Sequence, residues 1–173
     1  MKLGVYEIIN DPHAKLHKIR DIECKKKEFL YQDDIVKVMN RELKMDKLNV
    51  EHMYAVAMAR DFTPKGILLC SVGGYDNCLL NKGAMAAGLL LLAAERFVCF
   101  HNHPGYDRTI SDGDYASTEL LYEMEDYFKL VFDGHFMITK GYHASCERPM
   151  LSAEEMAEQM MKEMKKNERK TRK

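Results

Sequence analysis

The pattern of hydrophobic and polar positions changes at Val50. Beyond it, "HMYAVAMA" (His52 to Ala59) is a continuous apolar run, the mark of a strand covered on both faces. "FTPKG" is turn chemistry. "ILLCSVGG" (Ile67 to Gly74) reads as the next strand and stops at paired glycines. "KGAMAAGLLLLAA" (Lys82 to Ala94) is rich in Ala and Leu and apolar nearly all round, which predicts a buried helix. "RFVCFHNHP" (Arg96 to Pro104) predicts a central strand. "SDGDYASTELLYEMEDYF" (Ser111 to Phe128) predicts a helix capped by serine or aspartate, with Leu120, Leu121, Met124 and Phe128 as its core face. "KLVFDGHFMIT" (Lys129 to Thr139) predicts one more strand, and "KGYHAS" a turn into a short last one.

Before Val50 the chain is mixed and charged. "LGVYEII" (Leu3 to Ile9) predicts a short strand, and "IRDIECKKKEFL" (Ile19 to Leu30) either a second strand or an irregular segment. "DDIVKVMNREL" (Asp33 to Leu43) places Ile35, Val36, Met39 and Leu43 on one helical face, with Asp33 or Asp34 as the cap. Residues 151–173 form a charged tail with a capping serine, an acidic start and a basic end, an order that suits a helix dipole. The division this predicts is a strand and helix extension over residues 1–49, a main domain over 50–150, and a helical tail over 151–173. The alternation of elements predicts an α/β sandwich, one mixed sheet with helices on its faces.

Composition adds bounds. The chain has 173 residues, 46% of them hydrophobic, enough for one domain with a real core. A formal net charge of -1 argues against a polycation that coats nucleic acid. Five cysteines (Cys24, Cys70, Cys78, Cys99, Cys146) form no CxxC pair, which points to thiols in a reducing, cytoplasmic setting. No signal peptide is readable at the start. The longest apolar stretch, Ala84 to Ala94, falls short of the about 20 residues that span a bilayer, so no membrane partner is expected.

The candidate chemistry sits in "HNHPGYDRTISDGD" (His101 to Asp114), where a buried strand runs into a loop. Residues i and i+2 of a strand point to the same side, so His101 and His103 can offer two imidazole nitrogens to one ion. Asp114, near the start of the next helix, can fold back with a carboxylate oxygen. Two histidines and one carboxylate, with a position left for water, make an open catalytic zinc site rather than a closed structural one. An HxH pair alone is weak, since histidines at strand spacing are commonly surface residues. HxHP followed by Ser and Asp at these offsets is far more specific. Asp112 reads as a helix-cap residue, His52 as structural, and His135 as a packed histidine that could orient a ligand. His13, His17 and His143 carry no signal.

The same stretch resembles the JAMM, or MPN-plus, metalloprotease motif, HxHP followed by a loop and SxxD. Its closest variant is the HNHP of the RadC-like JAB domain. "VEHMYAVAMA", "VFDGHFMIT" and "GYHAS" are similar to further stretches of that family, so the resemblance covers about Glu51 to Ser145. It implies a three-layer, cytidine-deaminase-like α/β sandwich. It implies that His101, His103 and Asp114 bind Zn²⁺, that Glu51 acts as general base and then general acid, and that Ser111 stabilises an oxyanion. Each role has a physical reason. A carboxylate must take the water's proton as attack begins, and a hydroxyl near the third ligand suits a developing oxyanion. The loop departs from the family, reading Gly105-Tyr106-Asp107-Arg108 where Ser-Gly-Asp-Pro is common.

The expected function is zinc-dependent hydrolysis of a peptide or isopeptide amide, with a protein or peptide as substrate. The alternative is an accessory protein of DNA repair or mobile-element DNA transactions. The family resemblance and the basic tail favour that alternative, and the near-zero net charge opposes it. Substrate identity and oligomeric state are not encoded in any motif.

Overall fold

A computed structural model describes residues 1–10, 13–73 and 80–148. The expected tail helix, Gly74 and Cys78 lie outside the described residues. Among the described residues, seven strands and three α-helices occur in the order β1 (Lys2–Asn10), β2 (Ala14–Glu23), α1 (Gln32–Val38), β3 (His52–Met58), β4 (Pro64–Val72), α2 (Lys82–Leu91), β5 (Arg96–Asn102), α3 (Asp112–Phe128), β6 (Val131–Thr139) and β7 (Tyr142–Ser145). A π-helical turn at Met39–Leu43 and a 3₁₀ turn at Met45–Lys47 follow α1. The strands form one mixed sheet in the order β2-β1-β4-β3-β5-β6-β7. The fold is thus α/β with helices on both faces of the sheet, consistent with the JAB/MPN-like sandwich.

Strands β3 and β5 lie at the centre, and all but the first residue of each is buried. Their alternation sorts the core into two layers. Met53, Ala55, Ala57, Phe97 and Cys99 pack with Met85, Ala86 and Leu89 of α2 and with Leu121 and Met124 of α3. Tyr54, Val56, Met58, Val98 and Phe100 pack on the other side with Ile35, Val36 and Val38 of α1 and the turn that follows it. The N-terminal hairpin joins the same sheet, since β1 pairs with β2 and runs parallel to β4.

Strand direction places the site. β3 runs antiparallel to both β4 and β5, and β6 runs parallel to β5. The start of β3 therefore meets the ends of β4, β5 and β6 at one edge of the sheet.

Three local expectations need correction. First, α1 starts behind Tyr31 with no side-chain cap. Asp33 and Asp34 fall inside its first turn, where negative charge still suits the dipole. Asp34 instead pairs with Lys26 at 2.9 Å. Second, α2 is not buried all round and ends at Leu91. It lies flat on the sheet, so Met85, Ala86, Gly88 and Leu89 are covered while Leu90 and Leu91 are each 51% exposed. The approach is close, because a Cβ on Gly88 would lie 2.5 Å from Leu68 Cδ2. Third, the covered face of α3 is Thr118, Leu121 and Met124, and Phe128 is 40% exposed. Leu120 is half-buried. A threonine thus takes an inward position on this helix, with Thr118 Oγ1 2.9 Å from His135 Nδ1.

The sidedness of α2 is measurable. Leu89→Ala is expected to cost about 2–5 kcal/mol, the usual range for a fully buried leucine. Leu90→Ala, one position on, is expected to stay within about 0.5 kcal/mol. Urea denaturation of both variants checks this, and equal losses would mean that α2 packs differently.

Candidate metal centre

Along β5 the side chains alternate, so Phe97, Cys99 and His101 face α2 and α3 while Val98, Phe100 and Asn102 face α1. His103 continues the alternation one residue past the strand, held by its N–H donating to the Ile138 carbonyl at 2.9 Å. The two imidazoles converge, with their Nε2 atoms 3.0 Å apart. Pro104 then ends the pairing. Gly105 turns the chain at φ 77°, and its carbonyl accepts from Thr139 Oγ1 at 3.0 Å.

The loop delivers Ser111 as the N-cap of α3 and Asp114 as its third residue, in a capping box. The Ser111 hydroxyl accepts from the Asp114 N–H at 3.1 Å. Asp114 Oδ2 accepts from the Ser111 N–H and from the Ser111 hydroxyl, both at 2.7 Å. Local helix-start chemistry therefore fixes the carboxylate through Oδ2, and both of its oxygens lie near the histidines. Oδ1 lies 3.0 Å from His101 Nε2, and Oδ2 lies 3.4 Å from His103 Nε2.

These three side chains could hold a metal. A tetrahedral ion with bonds of about 2.0–2.1 Å separates its ligand atoms by about 3.3 Å, close to the spacings above. Two imidazole nitrogens and a carboxylate oxygen form a donor set that suits zinc.

Glu51 comes to the same place from β3. It is 7% exposed, and its Oε1 lies 4.0 Å from His103 Nε2, beside the trio rather than within it. Asn102 explains how it is held. The last backbone pair between β3 and β5 is Met53 with His101. Beyond it, the Asn102 side chain accepts from the His52 N–H at 2.9 Å and donates to the Val50 carbonyl at 3.1 Å. The backbone is thus pinned on both sides of Glu51, whose own carbonyl accepts from the Gly73 N–H at 2.9 Å.

A second line of contacts lies behind His101. Its Nδ1 is 2.8 Å from Nε2 of His135, which is 1% exposed. His135 Nδ1 is 2.9 Å from Thr118 Oγ1. The sulfur of Cys146 is near enough for His101, His135 and Cys146 to form a second group able to hold a metal.

Charge in the site follows from burial and from one carboxylate. Burial disfavours the ionised Asp114, but the adjoining His101 and His103 imidazoles and the Ser111 hydroxyl outweigh it and hold the carboxyl well below its usual range. Burial lowers His101, with Asp114 opposing. Burial also pulls His103 down, but there Asp114 and Glu51 prevail and its affinity for a proton rises. His135 lies well below the ordinary histidine range, chiefly through burial. Burial likewise pushes the Cys146 thiol well up.

The structure thus brings His101, His103, Asp114, Glu51 and Ser111 to one edge of the sheet. Asp112 is exposed in the first turn of α3 and takes no part. His52 turns away, its Nδ1 3.0 Å from the Val50 carbonyl. His17 pairs with Glu7, and His143 with Asp33. Sequence reasoning missed Asn102, Thr118 and Cys146. Asn102 stands between the two histidines, and a buried amide there was the available signal. Thr118 stands one helical turn after Asp114. Cys146 offered none.

A family model described as the RadC-like JAB domain matches residues 30–151, from just before α1 to beyond β7. No curated protein matches the chain.

The Asn102 clamp carries a prediction. Asn102→Ala removes a fully buried amide and leaves the partly buried His52 N–H without its acceptor, which costs about 1–3 kcal/mol. Chemical denaturation should show a lower midpoint with an unchanged slope. An unchanged midpoint would mean that the strand entry is held by other contacts.

Proposed function

Because the chain belongs to the RadC-like JAB family, we propose that it is a zinc-dependent hydrolase that cleaves a peptide or isopeptide amide. The observation that carries this reading is the convergence of His101, His103 and Asp114, with the Glu51 carboxylate set 4.0 Å to one side. A structural zinc site would be closed and is usually thiolate-rich. Here three N and O donors come from one strand end and one helix start, leaving a side open toward Glu51. A bound zinc would supply an acidified water and polarise a carbonyl.

The chain's own groups do the rest. His101, His103 and Asp114 bind. Glu51 takes the water's proton as attack begins and returns it to the departing amine, so that one carboxylate serves as base and then as acid. Burial beside the trio keeps competing water away and leaves Glu51 a short transfer distance. Ser111 serves the oxyanion. Its hydroxyl proton is donated to Asp114 Oδ2 at 2.7 Å, so this role requires the hydroxyl to rotate as negative charge develops.

The test is metal content combined with a peptide-cleavage screen. Protein purified without chelator is expected to hold about one zinc per chain, and His103→Ala to lose it, because one of three ligands is gone. Glu51→Gln is expected to keep its zinc and lose hydrolysis by about 10²–10⁴-fold. Full zinc in His103→Ala would remove that residue from the ligand set, and normal turnover in Glu51→Gln would make Glu51 structural.

Ser111 separates capping from catalysis. As a cap alone, Ser111→Ala costs about 0.5–2 kcal/mol of stability and leaves turnover intact. As an oxyanion donor as well, it also loses about 10²–10³ in kcat with little change in KM. We expect the second result, from steady-state kinetics and thermal denaturation of the same variant.

A further inference from the structure

We propose that His135 is a positioning residue that locks His101 in the tautomer with its proton on Nδ1, leaving Nε2 bare for the metal. Thr118 sets the direction of the chain of hydrogen bonds. The proposal rests on the reading of His101 as a zinc ligand.

The argument is a proton count. The Thr118 hydroxyl has one proton to give. Its Oγ1 faces the Asp114 carbonyl at 2.8 Å, the Cys146 carbonyl at 3.2 Å and His135 Nδ1 at 2.9 Å. The two carbonyls can only accept. Of the three neighbours, the imidazole nitrogen alone can donate. If Thr118 gave its proton to His135, both carbonyls would face bare oxygen lone pairs in a buried setting, which is costly. The arrangement that avoids this has the one Thr118 proton shared between the two carbonyls, the nearer at 2.8 Å, and His135 donating from Nδ1 to Oγ1.

The rest follows. A neutral imidazole protonated on Nδ1 has a bare Nε2, which must accept. The group 2.8 Å from His135 Nε2 is His101 Nδ1, which therefore carries a proton and donates it. His101 Nε2 is then a lone pair, aimed at the point shared with His103 Nε2 and Asp114 Oδ1, each 3.0 Å away. Reversing the chain would put a proton on His101 Nε2 and block that point. Partners of this kind behind a ligating histidine are worth about 10–100-fold in metal affinity.

The competing use of His135 is as a ligand itself, with His101 and Cys146. Two observations oppose it. The 2.8 Å between His101 Nδ1 and His135 Nε2 is a hydrogen-bond distance, shorter than the about 3.3 Å between two ligands of a tetrahedral zinc. Both His101 nitrogens would also be committed to different ions.

The experiment measures zinc affinity by competition with a chelator, and the cobalt-substituted absorption spectrum, in the full chain. His135→Phe removes the acceptor and is expected to weaken zinc about 10–100-fold. His135→Gln, whose amide oxygen can accept from His101 Nδ1–H, is expected to recover most of that loss. Unchanged affinity in folded His135→Phe overturns the proposal, and so does a thiolate charge-transfer band in the cobalt protein, which would make Cys146 a ligand. Should His135→Phe fail to fold, nitrogen-15 NMR of the zinc-loaded unmodified protein decides. A proton on His101 Nδ1 and none on His135 Nε2 supports the relay, and the reverse overturns it. If the unmodified protein binds no zinc, or binds it undiminished in His103→Ala, the underlying metal reading fails instead.

Discussion

The antiparallel pairing of β3 with β5 is the constraint on which the rest depends. Its register, Met53 opposite His101, puts the start of one buried strand beside the end of the other. Both strands are covered on both faces, so the register is strongly specified. A slip of one residue would drive His101 into the layer beneath α1 and Asn102 toward α3. The pairing also joins residues about 50 positions apart, Glu51 with His101 and His103, with no loop needed to bring them together. Rigid core strands rather than flexible connections thus set the geometry of the site.

The energetics of the trio follow from its burial. Two imidazole nitrogens and a carboxylate oxygen stand 3.0 to 3.4 Å apart, largely away from water. A proton on one ring can satisfy a contact with Asp114, but the two Nε2 atoms still face each other. One divalent ion at the shared point would satisfy all three contacts at once. Ligand binding to the folded state alone adds to stability, so such a site couples metal to fold. Asp114 shows economy of design. The same carboxylate closes the capping box of α3 through Oδ2 and faces the histidines with both oxygens, so the helix start orients the candidate ligand.

How much of this could be read from the residues depends on how local each interaction is. The strand pattern, the HxH geometry and the cap at Ser111 rest on neighbours within a few positions, and periodicity exposes them. The face of α2 was not readable because Ala, Leu and Gly surround it on every side. No polar stripe marks the exposed edge, so only the sheet beneath decides. The α1 start was misassigned because two aspartates compete for a cap that neither makes. The partners of Asn102, His135 and Thr118 were obscure for a different reason, although His135 itself was readable as a packed histidine that could orient a ligand. Those partners lie 50, 34 and 17 residues away, and a side-chain hydrogen bond across such a span leaves no spacing rule in the chain.

A similar contrast separates the centre from the loop beside it. His101, His103 and Glu51 are buried and Asp114 is half-buried, held by strand pairing, a helix cap and the Asn102 clamp. The loop that crosses between His103 and Ser111 is different. Tyr106, Asp107 and Arg108 are exposed, with Tyr106 beneath Lys140 and Arg108 over Tyr142. These cation–π contacts tie the loop to the β6–β7 turn but are worth only about 0.5–1 kcal/mol each at exposed sites. The loop can therefore change in sequence without disturbing the trio. The geometry of the trio is thus a property of the core, set by strand pairing and a helix start, whereas the rim beside it is held only by exposed side-chain contacts.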